Sequence, residues 1–159
     1  LNDIHAQLLE KRPQHCATLM LDASAGGARL ICNSDQGAHL PVGQLVLVLA
    51  DSGTPTLALV RWRHQNAEGL HLGLRYLKGL PRPVWLRRAP SAQTHPGVMQ
   101  STPAPGNGWH HGLWLPNGQF VEGENLWLQL ASVNNQAILP LPASNLCTPS
   151  VSRYPLRLA

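Results

Sequence analysis

Between two apolar runs, Thr18–Leu21 and Leu30–Cys32, the chain carries Asp22-Ala23-Ser24-Ala25-Gly26-Gly27-Ala28-Arg29. A carboxylate, a hydroxyl, bare backbone and a guanidinium thus fall within a few residues of one another. Asp22 and Ser24 stand two apart, so on an extended chain both project to one face. Gly26-Gly27 frees the backbone for positive φ and for close approach by another group. Acceptors followed by bare backbone and Arg29 suit a small polar ligand or a sharp corner of the chain. The elements on either side have to decide between these two uses.

Those elements are predominantly strands. Gly and Pro number 14 each, well above their usual joint share of about 12%, which favours short strands and many turns over long helices. Asn2–Lys11 has Ile4, Leu8 and Leu9 at helical spacing and ends at Pro13, so a short N-terminal helix is expected. Strand patterns follow at Ala17–Asp22, Ala28–Asn33, Gln44–Ala50 and Thr56–Arg63. In Gly69–Leu77, Leu70, Leu72, Leu74 and Tyr76 alternate with His71, Gly73 and Arg75. Pro83–Arg88 reads as a further short strand or an extended exit. Ala89–Gly108, rich in Pro, Gly, Ser and Thr, reads as a linker or long loop. A second set of strands is expected at Gly112–Leu115, Leu126–Ala131, Ala137–Leu141 and Tyr154–Leu158. The predicted fold is therefore all-β: a small antiparallel barrel over 11–90, a linker over 91–108, and a second, smaller β subdomain over 109–159. Val42–Leu49 and Glu122–Leu130 echo each other as a glycine turn running into an alternating strand. Duplication and a common β pattern both account for that echo.

Composition narrows the function. The net charge of +4 resides entirely in residues 1–90, and all its cations but Lys11 and Lys78 are Arg. Arg fits phosphate oxygens and the guanine edge through a planar fork of donors. Charged residues make up 13% of the chain, about half the usual ~25%, so part of the surface is expected to face a partner chain or a further domain. Cys16, Cys32 and Cys147 stand singly in apolar contexts and read as reduced, buried thiols of a cytoplasmic protein. No apolar run reaches the ~20 residues of a membrane span. The start at Leu1 suggests a piece of a longer chain. His95, His110, His111 and Cys147 lack metal-ligand spacing. No G-x-S-x-G or other activated nucleophile occurs, so no catalytic residue, metal or cofactor is assigned and the chain does not read as an enzyme. Arg61 and Arg63, placed by alternation on one strand face, together with Arg75, Arg82, Arg87, Arg88, Trp62 and Trp85, would suit a single-stranded nucleic-acid groove or a solvated strand face.

The order of the motifs gives a more specific pointer. Asp22, Ser24 and Gly27 fit D/N-x-S-x-x-G; Val60 and Trp62 fit V-x-W; Gly69, Gly73, Leu74, Tyr76 and Leu77 fit G-x-x-x-G-[LIV]-x-[FY]-[LI]. Over residues 11–80 the chain resembles the PilZ domain, a small barrel that binds the bacterial second messenger cyclic di-GMP. The resemblance implies a signalling module that relays ligand state to an unidentified protein partner or upstream domain. It implies Asp22 and Ser24 as guanine acceptors, which fits the N1–H and N2–H2 donors of the base. Gly27 would permit close approach, and Lys11 and Arg12 would clamp phosphate and guanine. The family's R-x-x-x-R pair is not reproduced, because Cys16 follows Arg12 and His15 follows Lys11 at the fourth position. Three readings stay open: a reduced clamp at Lys11 and Arg12, a pair upstream of Leu1, or a degenerate interaction domain without nucleotide binding.

Overall fold

A computed structural model describes residues 18–33, 35, 40–49, 53–130 and 136–157. The N-terminal helix expected over Asn2–Lys11, together with Lys11, Arg12 and Cys16, lies outside these residues. The described residues are all-β and contain no helical element. They form two compact units, each built on one curled antiparallel sheet.

The first unit comprises β1 (Thr18–Ala23), β2 (Gly27–Cys32), β3 (Leu45–Val48), β4 (Thr56–Asn66) and β5 (Gly69–Tyr76), in the order β1-β2-β5-β4-β3. Period-two alternation builds its core. Ala28, Leu30 and Cys32 of β2 pack with Leu70, Leu72 and Leu74 of β5 and with Ala58 and Val60 of β4. Burying each such leucine stabilises the unit by about 2 kcal/mol. Two β-bulges interrupt the alternation. One lies between Met20 and Asp22 on β1. The other lies between Val60 and Trp62 on β4, where Arg61 is the additional residue. One inserted residue exchanges the faces of everything beyond it. Trp62 therefore turns outward opposite Gly73, and Arg63 turns in to donate to the Leu40 carbonyl. This corrects the expectation that Arg61 and Arg63 share a face. Thr148–Ser150, from late in the chain, also belong to this unit, and the Thr148 hydroxyl donates to the Gly43 carbonyl at 2.7 Å.

The second unit comprises β6 (Leu80–Arg87), β7 (His95–Pro103), β8 (Trp109–Pro116), β9 (Asn125–Leu130), β10 (Gln136–Pro140), β11 (Leu146–Cys147) and β12 (Val151–Leu156). Its order is β10-β9-β6-β7-β8-β12-β11. Seven strands against five make it the larger sheet rather than the smaller one. The first unit's sheet ends at Tyr76, and the segment read as a linker over 91–108 holds β7, which pairs with β6 on one side and β8 on the other. That strand was hidden because its inward positions are Gly97, Met99 and Ser101. A Cβ on Gly97 would lie 2.9 Å from Leu86 Cδ1 and 3.1 Å from Leu115 Cδ2, so neighbouring leucines fill the space a larger residue would occupy. The core consists of Val84, Leu86, Met99, Leu113, Leu115, Phe120, Leu126, Leu128, Leu141 and Leu156. Cys32 is buried as expected, whereas Cys147 is exposed and accepts from the Ser152 hydroxyl at 3.2 Å.

The echo between Val42–Leu49 and Glu122–Leu130 extends to the hydrogen bonds. Gln44 N–H donates to Pro41 O, Gly43 N–H to Val60 O, and Val60 N–H to Gln44 O. In the second unit Glu124 donates to Val121, Gly123 to Leu141, and Leu141 to Glu124. Gly43 and Gly123 have φ of 92° and 85°, the left-handed conformation such a turn demands at its third position.

His111 on β8 is half-buried, and its Nδ1 lies 2.8 Å from the Ser101 hydroxyl. Burial first, then Arg82 and His110, hold its pKa below the ordinary imidazole value of 6.5. The unfolded chain therefore takes up this proton before the folded one. The stabilisation is present above about pH 6.5 and fades as pH falls below it. Urea midpoints measured from pH 7 to pH 5 are expected to fall less steeply for His111→Gln than for the unaltered chain.

Candidate ligand-binding face

Three antiparallel registers set a single row across the outer face of the first sheet. Asp22 pairs with Arg29, Arg29 with Gly73, and Gly73 with Trp62. Arg29 and Gly73 alternate with the core residues Ala28, Leu30, Leu72 and Leu74 and so face away from the core, and their cross-strand partners Asp22 and Trp62, the latter turned out by its bulge, share that face. Arg29 Nε lies 3.2 Å from Asp22 Oδ2, with the two side chains 48% and 66% exposed. An ion pair so open to water contributes less than about 1 kcal/mol, so exchanging it for ligand contacts costs little.

The Trp62 indole lies over Gly73. A Cβ on Gly73 would fall 2.0 Å from Trp62 Nε1, so only glycine leaves the indole this seat. Trp62 remains 42% exposed. The row therefore presents a carboxylate, a guanidinium and an aromatic plane side by side. Arg75, two positions beyond Gly73 on β5, is also exposed. To the other side His71 lies 3.5 Å from Glu68 and 3.1 Å from the Asn66 amide.

The other site residues read from the sequence have different settings. Ser24 closes the β1–β2 hairpin: its N–H donates to Gly27 O at 2.8 Å and its hydroxyl accepts from Gly26 N–H at 3.3 Å. At Gly27 the close approach is made by the protein itself. A Cβ there would lie 2.1 Å from the Leu74 carbonyl oxygen, so this glycine permits the pairing of β2 with β5. Arg29 and Gly73 are not among the site residues the sequence names, and Trp62 appears there only in the V-x-W motif and the candidate single-strand groove. The sequence signal for them was the V-x-W and G-x-x-x-G spacing, but their adjacency depends on strand register.

No family model, curated protein or solved structure was found to match the chain. Among the described residues no group of three or more His, Cys, Asp and Glu forms a candidate metal site. The groups on this face can engage a flat polar molecule by stacking and charge-assisted hydrogen bonds.

Proposed function

We propose that the first unit is a cyclic di-GMP receptor whose ligand lies on the Asp22–Arg29–Gly73–Trp62 row, in a module that relays ligand state to a partner or attached domain. One observation carries the reading. Asp22, Trp62 and Gly73 come from three separate PilZ-like motifs and meet on one cross-strand row. Asp22 accepts the N1–H and N2–H2 of guanine, Arg29 donates to O6, N7 or phosphate, and Trp62 stacks on the base. Ser24, at the hairpin end, adds a hydroxyl, and Lys11 and Arg12 supply the phosphate clamp. The role is binding, with no bond made or broken.

Calorimetric titration of the whole chain with cyclic di-GMP tests this. Saturable binding is expected, weakened about tenfold or more by Asp22→Ala and by Trp62→Ala, since a charged hydrogen bond or a stacked base contributes about 1–3 kcal/mol. Binding that neither substitution alters would remove the site assignment. The existing Asp22–Arg29 pair supports a second reading, an interaction domain that has lost its nucleotide. No heat on titration, with a protein partner held by the same row, is the outcome that favours it.

A further inference from the structure

The second unit carries an aromatic cleft that the proposed receptor face does not use. On β6, Val84 and Leu86 point into the core, so Trp85 and Arg87 point out; on β9, Leu126 and Leu128 point in, so Trp127 and Gln129 point out. Trp85 pairs with Gln129, Arg87 with Trp127, and Gln129 in turn with Gln136 of β10. Two indoles therefore stand on a diagonal of the outer face, flanked by a guanidinium and two carboxamides. Thr94 completes the rim of a cleft of about 320 Å³, at the lower end of the range of small-ligand sites.

Both indoles are only half-buried, and neither belongs to the core cluster behind them. The Arg87 guanidinium lies 6.0 Å from the centroid of Trp127 and donates through Nη1 to Pro90 O at 2.8 Å, so it is held at the cleft rather than left to roam. Gln136 Nε2 lies 3.4 Å from Gln129 Oε1, which leaves Gln136 Oε1 to accept and Gln129 Nε2 to donate. The described lining contains one cation and no carboxylate. A neutral sugar would use the indoles but not the cation, and would lack the carboxylate acceptors its hydroxyls favour. A planar base with a phosphate nearby uses everything present: indoles for stacking, carboxamides for the base edge, and Arg87 for the phosphate.

We propose that this cleft is a second ligand site, one that takes a nucleotide, either free or as part of a single strand. It is independent of the cyclic di-GMP reading. The test titrates the whole chain with adenosine and guanosine 5′-monophosphates, with a fluorescein-labelled decamer of deoxyadenosine, and with a neutral gluco-oligosaccharide. Tryptophan quenching and anisotropy are the readouts. Saturation by a mononucleotide supports the free-nucleotide source; saturation by the decamer alone, weakening with added salt, supports the single-strand source. In either case Trp127→Ala and Arg87→Gln are expected to weaken binding about tenfold or more, and Val121→Ala, at an exposed position outside the cleft, to leave it unchanged. Urea midpoints of Arg87→Gln and the unaltered chain, expected to agree within error for this outward-facing side chain, separate its loss of affinity from unfolding. The proposal is overturned if neither nucleotide probe binds, if binding survives both cleft substitutions, or if the oligosaccharide is the probe whose binding they remove.

Discussion

Replacing Gly27 by Ala is expected to destabilise the first unit by about 3 kcal/mol, while Gly26→Ala one position earlier changes stability by less than about 0.5 kcal/mol. The residues are identical and adjacent, so chain propensity cannot separate them. What separates them is space. A Cβ on Gly27 would lie 2.1 Å from the Leu74 carbonyl oxygen, whereas a Cβ on Gly26 meets nothing within 4 Å. The neighbour at Gly27 is backbone in a paired strand and cannot move aside as a long side chain would. At Gly26, loss of unfolded-state freedom makes a slight gain the expected sign. Urea unfolding of both variants checks the contrast, and equal midpoints would mean that β2 and β5 do not approach as described. The result also bears on function. The glycine of D-x-S-x-x-G sits directly beside the pairing that carries Arg29 to Gly73, so a change at Gly27 is expected to weaken ligand binding without removing any ligand contact.

The second large effect is expected at Trp114 of β8. This residue is 2% exposed and gives its Nε1–H to Gln100 Oε1 at 2.8 Å. Arg153 Nε donates to the same oxygen at 3.3 Å, with its guanidinium over Gly112, where a Cβ would lie 2.3 Å from Cζ. Trp114→Ala removes a large buried side chain and a donor to the buried Gln100 carboxamide. A loss of about 3–5 kcal/mol is expected. Trp114→Phe retains most of the packing and forfeits the hydrogen bond, for a loss of about 1–2 kcal/mol. Denaturant unfolding of the pair separates packing from hydrogen bonding. Similar values for both would show that the bond to Gln100, rather than the volume of the indole, dominates.

Parts of this were legible in the sequence and parts were not. The alternation of Leu70, Leu72 and Leu74 with His71, Gly73 and Arg75 is local, and the structure places the leucines in the core as that pattern requires. Strand β7 was illegible because Met99 is the one large apolar residue among its inner positions, the others being Gly97 and Ser101, and Pro96 and Pro103 lie near its ends, so neither hydrophobic period nor β-propensity marks it. The outward turn of Trp62 was illegible for another reason. Period two predicts that it shares the face of Val60, and only the bulge at Arg61, set by pairing with β5, reverses it. The motifs named Asp22, Trp62 and Gly73, but bringing them into one row takes registers between strands far apart in sequence. Local spacing identifies such residues without placing them beside one another.

The connection between β11 and β12, which belongs to the first unit, has a consequence for synthesis. Thr148–Ser150 complete that unit, with Thr148 bonded to Gly43 across more than a hundred residues of chain. A growing chain folds from its N-terminus as units emerge, yet this unit lacks its last contact until nearly all of the present sequence has been made. Its sheet is made before that of the second unit, yet it is completed only when β12 of the second unit alone remains to be made. Dividing the gene after Lys78 would therefore not yield two whole proteins: the first fragment would need Thr148–Ser150 supplied by the second, and the two would have to be made together.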